Sequence, residues 1–164
     1  MSYLFTLLSK ERVTVAHLES IYNEYGRSPG FSVDALAAMR QLDPELAWRA
    51  AWLLCRCARD KKLGEAIQVS IVASAEEMTL WIARLILCQL FSHTGPPITN
   101  RDATHSFLAD CFSDRRVIVR AWAITALARF RDDPKYQKTI ASMIRTARRD
   151  PRKSMQARLR HLRS

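Results

Sequence analysis

From Arg115 to Ser164 the chain carries 15 basic side chains against 3 acidic, a net +12, while the first 114 residues hold 11 basic and 13 acidic, a net −2. Twelve of those fifteen are arginine, whose planar fork of N–H donors pairs bidentately with phosphate or carboxylate. At helical spacing Lys135, Lys138, Arg145, Arg148 and Arg149 fall opposite an apolar stripe. Arg152, Lys153, Arg160 and Arg163 share one side of the next segment. Such a surface can hold a polyanion by displacing its counterions, with affinity that falls steeply as salt rises. The anion-binding candidates are therefore Lys138, Arg145, Arg148, Arg149, Arg152, Lys153, Arg160 and Arg163. The plainer reading, in which these cations only solvate an outer face, stands beside it.

Aromatic residues offer a second chemistry. Trp48 and Trp52 are four apart and adjacent on one side of a helix, a spacing suited to a stacking platform for bases or a peptide. The same spacing also suits a core position, and Trp81 and Trp122 are expected in the core. Cys55, Cys57, Cys88 and Cys111 lie in apolar stretches and are expected as reduced core thiols. Cys55 and Cys57 point about 200° apart around a helix and cannot share a metal. His17, His93, His105 and His161 are far apart without a carboxylate at ligand spacing, and His105 is expected at a helix surface or interface. No Gly-rich phosphate loop, HExxH, GxSxG or paired CxxC occurs. No cofactor or metal is expected.

The elements that must position these groups are helices. The 164 residues are 48% apolar and 26% charged, with 4 Gly and 6 Pro, which suits one folded domain poor in the turns an all-β chain requires. Apolar residues at Tyr136, Ile140, Met143, Ile144 and Ala147, and at Leu18, Ile21, Tyr22 and Tyr25, follow the helical period. Gly26 supplies a stop. Three Asp-Pro pairs, Asp43-Pro44, Asp133-Pro134 and Asp150-Pro151, each predict a helix start, with Asp as N-cap and Pro at the first position. Ten helices are predicted, at 2–11, 14–25, 32–42, 44–59, 65–74, 76–92, 100–112, 115–131, 134–148 and 151–162. Val69-Ser70-Ile71-Val72 is the best strand candidate and is too short to persuade. The apolar run Leu80–Phe91, interrupted by Arg84 and Gln89, falls short of the roughly 20 residues of a membrane span. Tyr3–Leu8 is too brief for a secretory signal, so the expected location is cytoplasmic.

The segments repeat. Asp43-Pro-Glu-Leu-Ala-Trp-Arg49-Ala-Ala-Trp aligns with Asp114-Arg-Arg-Val-Ile-Val-Arg120-Ala-Trp-Ala, and more loosely with Asp150-Pro-Arg-Lys-Ser-Met-Gln156-Ala and with Ala75-Glu-Glu-Met-Thr-Leu-Trp81-Ile. The equivalent positions 49, 81, 120 and 156 are 32, 39 and 36 apart, and the longest interval holds the loop His93-Thr94-Gly95-Pro96-Pro97-Ile98-Thr99. A period in this range with two helices per unit predicts an α-solenoid. The Asp, Arg and small-residue pattern resembles HEAT repeats, over about residues 32–162 as four helix pairs preceded by an N-terminal helical cap at 1–26. The resemblance implies a single all-α domain, an ARM/HEAT-type superhelix of about ten helices. It also implies that Arg49 and Arg120 bond between repeats, with Trp81 and Gln156 interrupting that ladder.

Three functional expectations follow. The first is a non-catalytic, monomeric binding module that contacts nucleic acid or another polyanion through its basic C-terminal surface. The second is a protein adaptor with an acidic partner. The third comes from a further resemblance in architecture, to HEAT-like DNA-alkylation glycosylases. It implies a carboxylate beside aromatics in a basic cleft, stabilising a cationic sugar as the base leaves, with Glu45 near Trp48 or Asp110 near Trp122 as the residues to examine.

Overall fold

Asp43 shows how the sequence starts a helix. Its Oδ1 accepts from the backbone N–H of Glu45 at 2.9 Å and of Leu46 at 3.4 Å, with Pro44 at the first position, where a missing N–H costs nothing. The computed structural model describes residues 3–41 and 43–162. Over these residues it contains ten α-helices and no strand. They are α1 Tyr3–Leu8, α2 Val15–Tyr25, α3 Phe31–Met39, α4 Pro44–Arg59, α5 Glu65–Ala75, α6 Trp81–Thr94, α7 Arg101–Phe112, α8 Val117–Leu127, α9 Gln137–Arg148 and α10 Lys153–His161, with a 3-10 turn Ala128–Phe130 after α8.

Two of the three Asp-Pro pairs do not open a helix directly. Asp133 Oδ1 accepts from Lys135 N and Asp150 Oδ1 from Arg152 N, so each aspartate closes a short turn. Helices α9 and α10 begin only at Gln137 and Lys153. Asp114 does the same through Arg116 N ahead of α8. Gly26 ends α2 in a right-handed conformation and not a left-handed one, and a Cβ there would stand 2.5 Å from the Tyr22 carbonyl and 2.8 Å from its ring. Gly95, which ends α6, does sit at φ +75, where side chains are strained.

The packing alternates along the chain. Helix α4 lies against α6, α6 against α8 and α8 against α10, while α1 packs on α3, α3 on α5 and α5 on α7; α3 with α4 and α7 with α8 are closely packed neighbours. The even-numbered helices therefore have to be apolar on most sides. Ala50, Ala51, Leu53 and Leu54 of α4, Leu87, Cys88 and Leu90 of α6, and Val119, Ala121, Ala123 and Ile124 of α8 are all fully buried. Small residues at these contacts let the backbones approach closely. Among the described residues the buried apolar side chains form one continuous core, from Leu4 to Leu159.

Polar ties fix the register. Arg49, buried, donates to the Leu8 and Lys10 carbonyls at 2.8 and 3.0 Å, closing the end of α1 onto α4. Arg120 donates to the Asp114 carbonyl at 2.7 Å and to Asp150 Oδ2 at 3.1 Å. Gln156 donates to the Asp150 carbonyl at 2.6 Å, the same six-residue reach back. Trp81 has no such role: Arg84, nearly one turn later, takes the ion pair with Asp110 and donates to Cys111 Sγ at 3.4 Å.

Candidate functional site

Helices α9 and α10 carry the cations that the sequence singles out. The apolar stripe of α9 buries Ile140 and Ala147, and that of α10 buries Met155 and Leu159, which turns the opposite faces outward. Lys138, Arg145, Arg148, Arg149, Arg152, Lys153 and Arg160 are all exposed. Arg152 pairs with Asp150 at 3.1 Å. Among the described residues the other six make no ion pair, whereas Arg49, Arg56, Arg84, Arg101 and Arg120 are each held by a carboxylate. Arg163 lies outside the described residues. Lys135, which belongs to the same stripe in sequence, is drawn away to Asp102, whose carboxylate also accepts from Tyr136. These two bonds hold Asp102 below the usual carboxylate range.

A second basic region forms on the even-numbered helices. Trp52, Arg56 and Arg59 of α4, Gln89 and His93 of α6 and Trp122 of α8 line a hollow of about 310 Å³. Trp122, expected in the core, packs against it but is only half-buried, and the Arg158 guanidinium of α10 lies over its ring with 3.9 Å to the ring centroid. Trp81 likewise is half-buried, under Arg116. Burial, with Arg59, Arg129 and Arg158, holds His93 below its ordinary value, so it is neutral at pH 7. Arg59, Arg129 and Arg158 make no ion pair among the described residues. No carboxylate lines the hollow.

Sequence reasoning missed this gathering. Its signal is present in part: Trp52, Arg56 and Arg59 are spaced four and three on α4, Gln89 and His93 four on α6, and Trp122 stands on α8. Only the stacking of α4 on α6 on α8 joins the stripes. Trp48 does not line the hollow with Trp52; its indole N–H donates to Glu45 Oε2 at 2.7 Å.

The two carboxylates of the glycosylase reading stand in different surroundings. Glu45 is near Trp48, but its Oε2 is held by Trp48 and by Arg49 at 3.3 Å. Asp110 pairs with Arg84 and lines a different hollow, with Ser106 and Phe107, away from Trp122. His105 is an interface residue, stacked on Tyr136 at 4.6 Å and edge-on to Phe130 at 5.6 Å. The four cysteines are free and buried. Among the described residues no group of His, Cys, Asp and Glu could hold a metal ion, and no helix is long and apolar enough to cross a membrane. Comparison with protein-family models, with curated proteins and with solved structures found no match.

Proposed function

We propose that the chain is a HEAT-like α-solenoid that works as a non-catalytic binding module, holding nucleic acid on the exposed cations of α9 and α10. The alternation of helix contacts supports the architecture: each even-numbered helix from α4 to α8 leans on the next even one, and odd on odd from α1 to α5, as stacked helix pairs must. Arg120 reaching Asp150 of the following pair is the kind of tie that fixes one unit on another.

The observation that carries the function is the contrast in charge pairing. Lys138, Arg145, Arg148, Arg149, Lys153 and Arg160 stand exposed and unmatched on two successive helices, while Arg49, Arg56, Arg84, Arg101 and Arg120 of the scaffold are each paired with a carboxylate. Cations so placed repel one another, and a phosphate backbone relieves that repulsion and releases counterions in exchange. A location in a reducing compartment such as the cytoplasm fits the four free cysteines. Binding of a fluorescent oligonucleotide at low salt, compared between the native chain and an Arg145→Glu, Arg149→Glu, Arg160→Glu variant, tests this reading. Affinity lost in the variant supports it. Absence of nucleic-acid binding at low salt, or retention of an acidic protein partner independently of salt, replaces it with the adaptor reading.

A further inference from the structure

We propose that the hollow between α4, α6 and α8 holds one unstacked nucleotide of a single-stranded nucleic acid, its base on Trp52 and its phosphate on Arg59. The inference rests on the polyanion reading above and names the form of the nucleic acid.

Three features of the hollow converge on that ligand. Trp52 and Trp122 stand on its walls, and both are only half-buried, so aromatic surface is open to the hollow. The Arg158 guanidinium covers one face of Trp122 at 3.9 Å, a stacking that leaves its in-plane N–H donors free. Arg59 lines the hollow itself and is exposed, Arg158 borders it only through Trp122, and neither arginine makes an ion pair or hydrogen bond among the described residues. The Gln89 side-chain amide and neutral His93 add donor and acceptor capacity between the two indoles, again with no carboxylate to compete.

Such a set reads a base and a phosphate together, as aromatic and cationic platforms do for single strands. A duplex keeps its bases stacked and paired and presents only its phosphates, which the α9 and α10 cations can meet without the hollow. The volume of about 310 Å³ admits one such unit and not a run of them.

The test compares a fluorescein-labelled dT12 single strand with a GC-rich 12-base-pair duplex that stays paired at low salt, by anisotropy, on the full chain. Trp52→Ala is expected to weaken the single strand about tenfold, the worth of one stacked base, and to leave the duplex within about twofold. Trp52→Phe is expected to restore most of the loss, and Arg59→Gln, at an exposed position, to weaken the single strand without touching the fold. Equal loss on both ligands with Trp52→Ala, or unchanged single-strand affinity with both Trp52→Ala and Arg59→Gln, overturns the proposal. The Arg145→Glu, Arg149→Glu, Arg160→Glu variant separates it from the reading on which it rests. If that variant loses both ligands while Trp52→Ala loses neither, the hollow fails and the surface stands. If it loses nothing while Trp52→Ala loses the single strand, the surface fails and the hollow stands.

Discussion

Arg120 Nη2 lies 3.1 Å from Asp150 Oδ2, tying α8 to the turn that leads into α10. The two side chains are 16% and 13% exposed, and with Arg120 removed the largely desolvated Asp150 keeps only Arg152, which is exposed, at 3.1 Å. Arg120→Ala is expected to cost about 2–3 kcal/mol in urea denaturation. Arg120→Gln is expected to cost about 1 kcal/mol less than that, because a glutamine at the equivalent position 156 still reaches the carbonyl six residues back. Equal losses for Ala and Gln would show that the carbonyl contact contributes nothing.

The Asp-Pro pairs should separate by substitution. Asp43→Ala removes a true N-cap and is expected to lower stability by about 1 kcal/mol. Pro134→Ala is expected to stay within about 0.5 kcal/mol, since Pro134 is exposed in a turn and opens no helix. Chemical denaturation of both variants checks the order.

Gly26→Ala is expected to destabilise by about 1–3 kcal/mol through overpacking. The new methyl meets the Tyr22 ring, which cannot swing away because it is buried and its hydroxyl donates to Asp60 at 2.7 Å. A Tyr22→Ala background should absorb only the part of the cost that the ring causes, since the Tyr22 carbonyl 2.5 Å away remains, and a double-mutant cycle measures that part.

The pH dependence follows from His93 and His105. Burial is the largest cause holding each below its ordinary value. A histidine depressed in the folded state binds its proton more readily when unfolded, so its contribution is complete above about 6.5 and is lost as pH falls below that value. Thermal midpoints should therefore fall between pH 7 and pH 5, and His105→Gln should flatten part of that slope. An unchanged slope in His93→Gln and His105→Gln together would assign the fall to the carboxylates.

Much of the fold was legible because its signals are local. The apolar period placed all ten helices within a few residues, and the Asp114 to Arg120 segment matched Asp150 to Gln156 closely enough to share a contact. The helix starts at 134 and 151 were misread because Asp-Pro fits the first position of a turn as well as that of a helix. At the site, the α9 and α10 cations could be read from one helix face at a time. The hollow could not, because Trp52, His93 and Trp122 are far apart in sequence and share a wall only through tertiary stacking. Trp122 read as core since an indole flanked by alanines has no sequence mark for the arginine that covers it.

The most direct measurement is the salt dependence of single-strand binding by the native chain and by Arg145→Glu, Arg149→Glu, Arg160→Glu. Each neutralised phosphate adds about −0.7 to the slope of log affinity against log salt. The unmatched cations of α9 and α10 then predict a steep negative slope, which the variant lowers in magnitude by about 2. A slope near zero, or one that the three reversals leave unchanged, contradicts the assignment of this face to a polyanion.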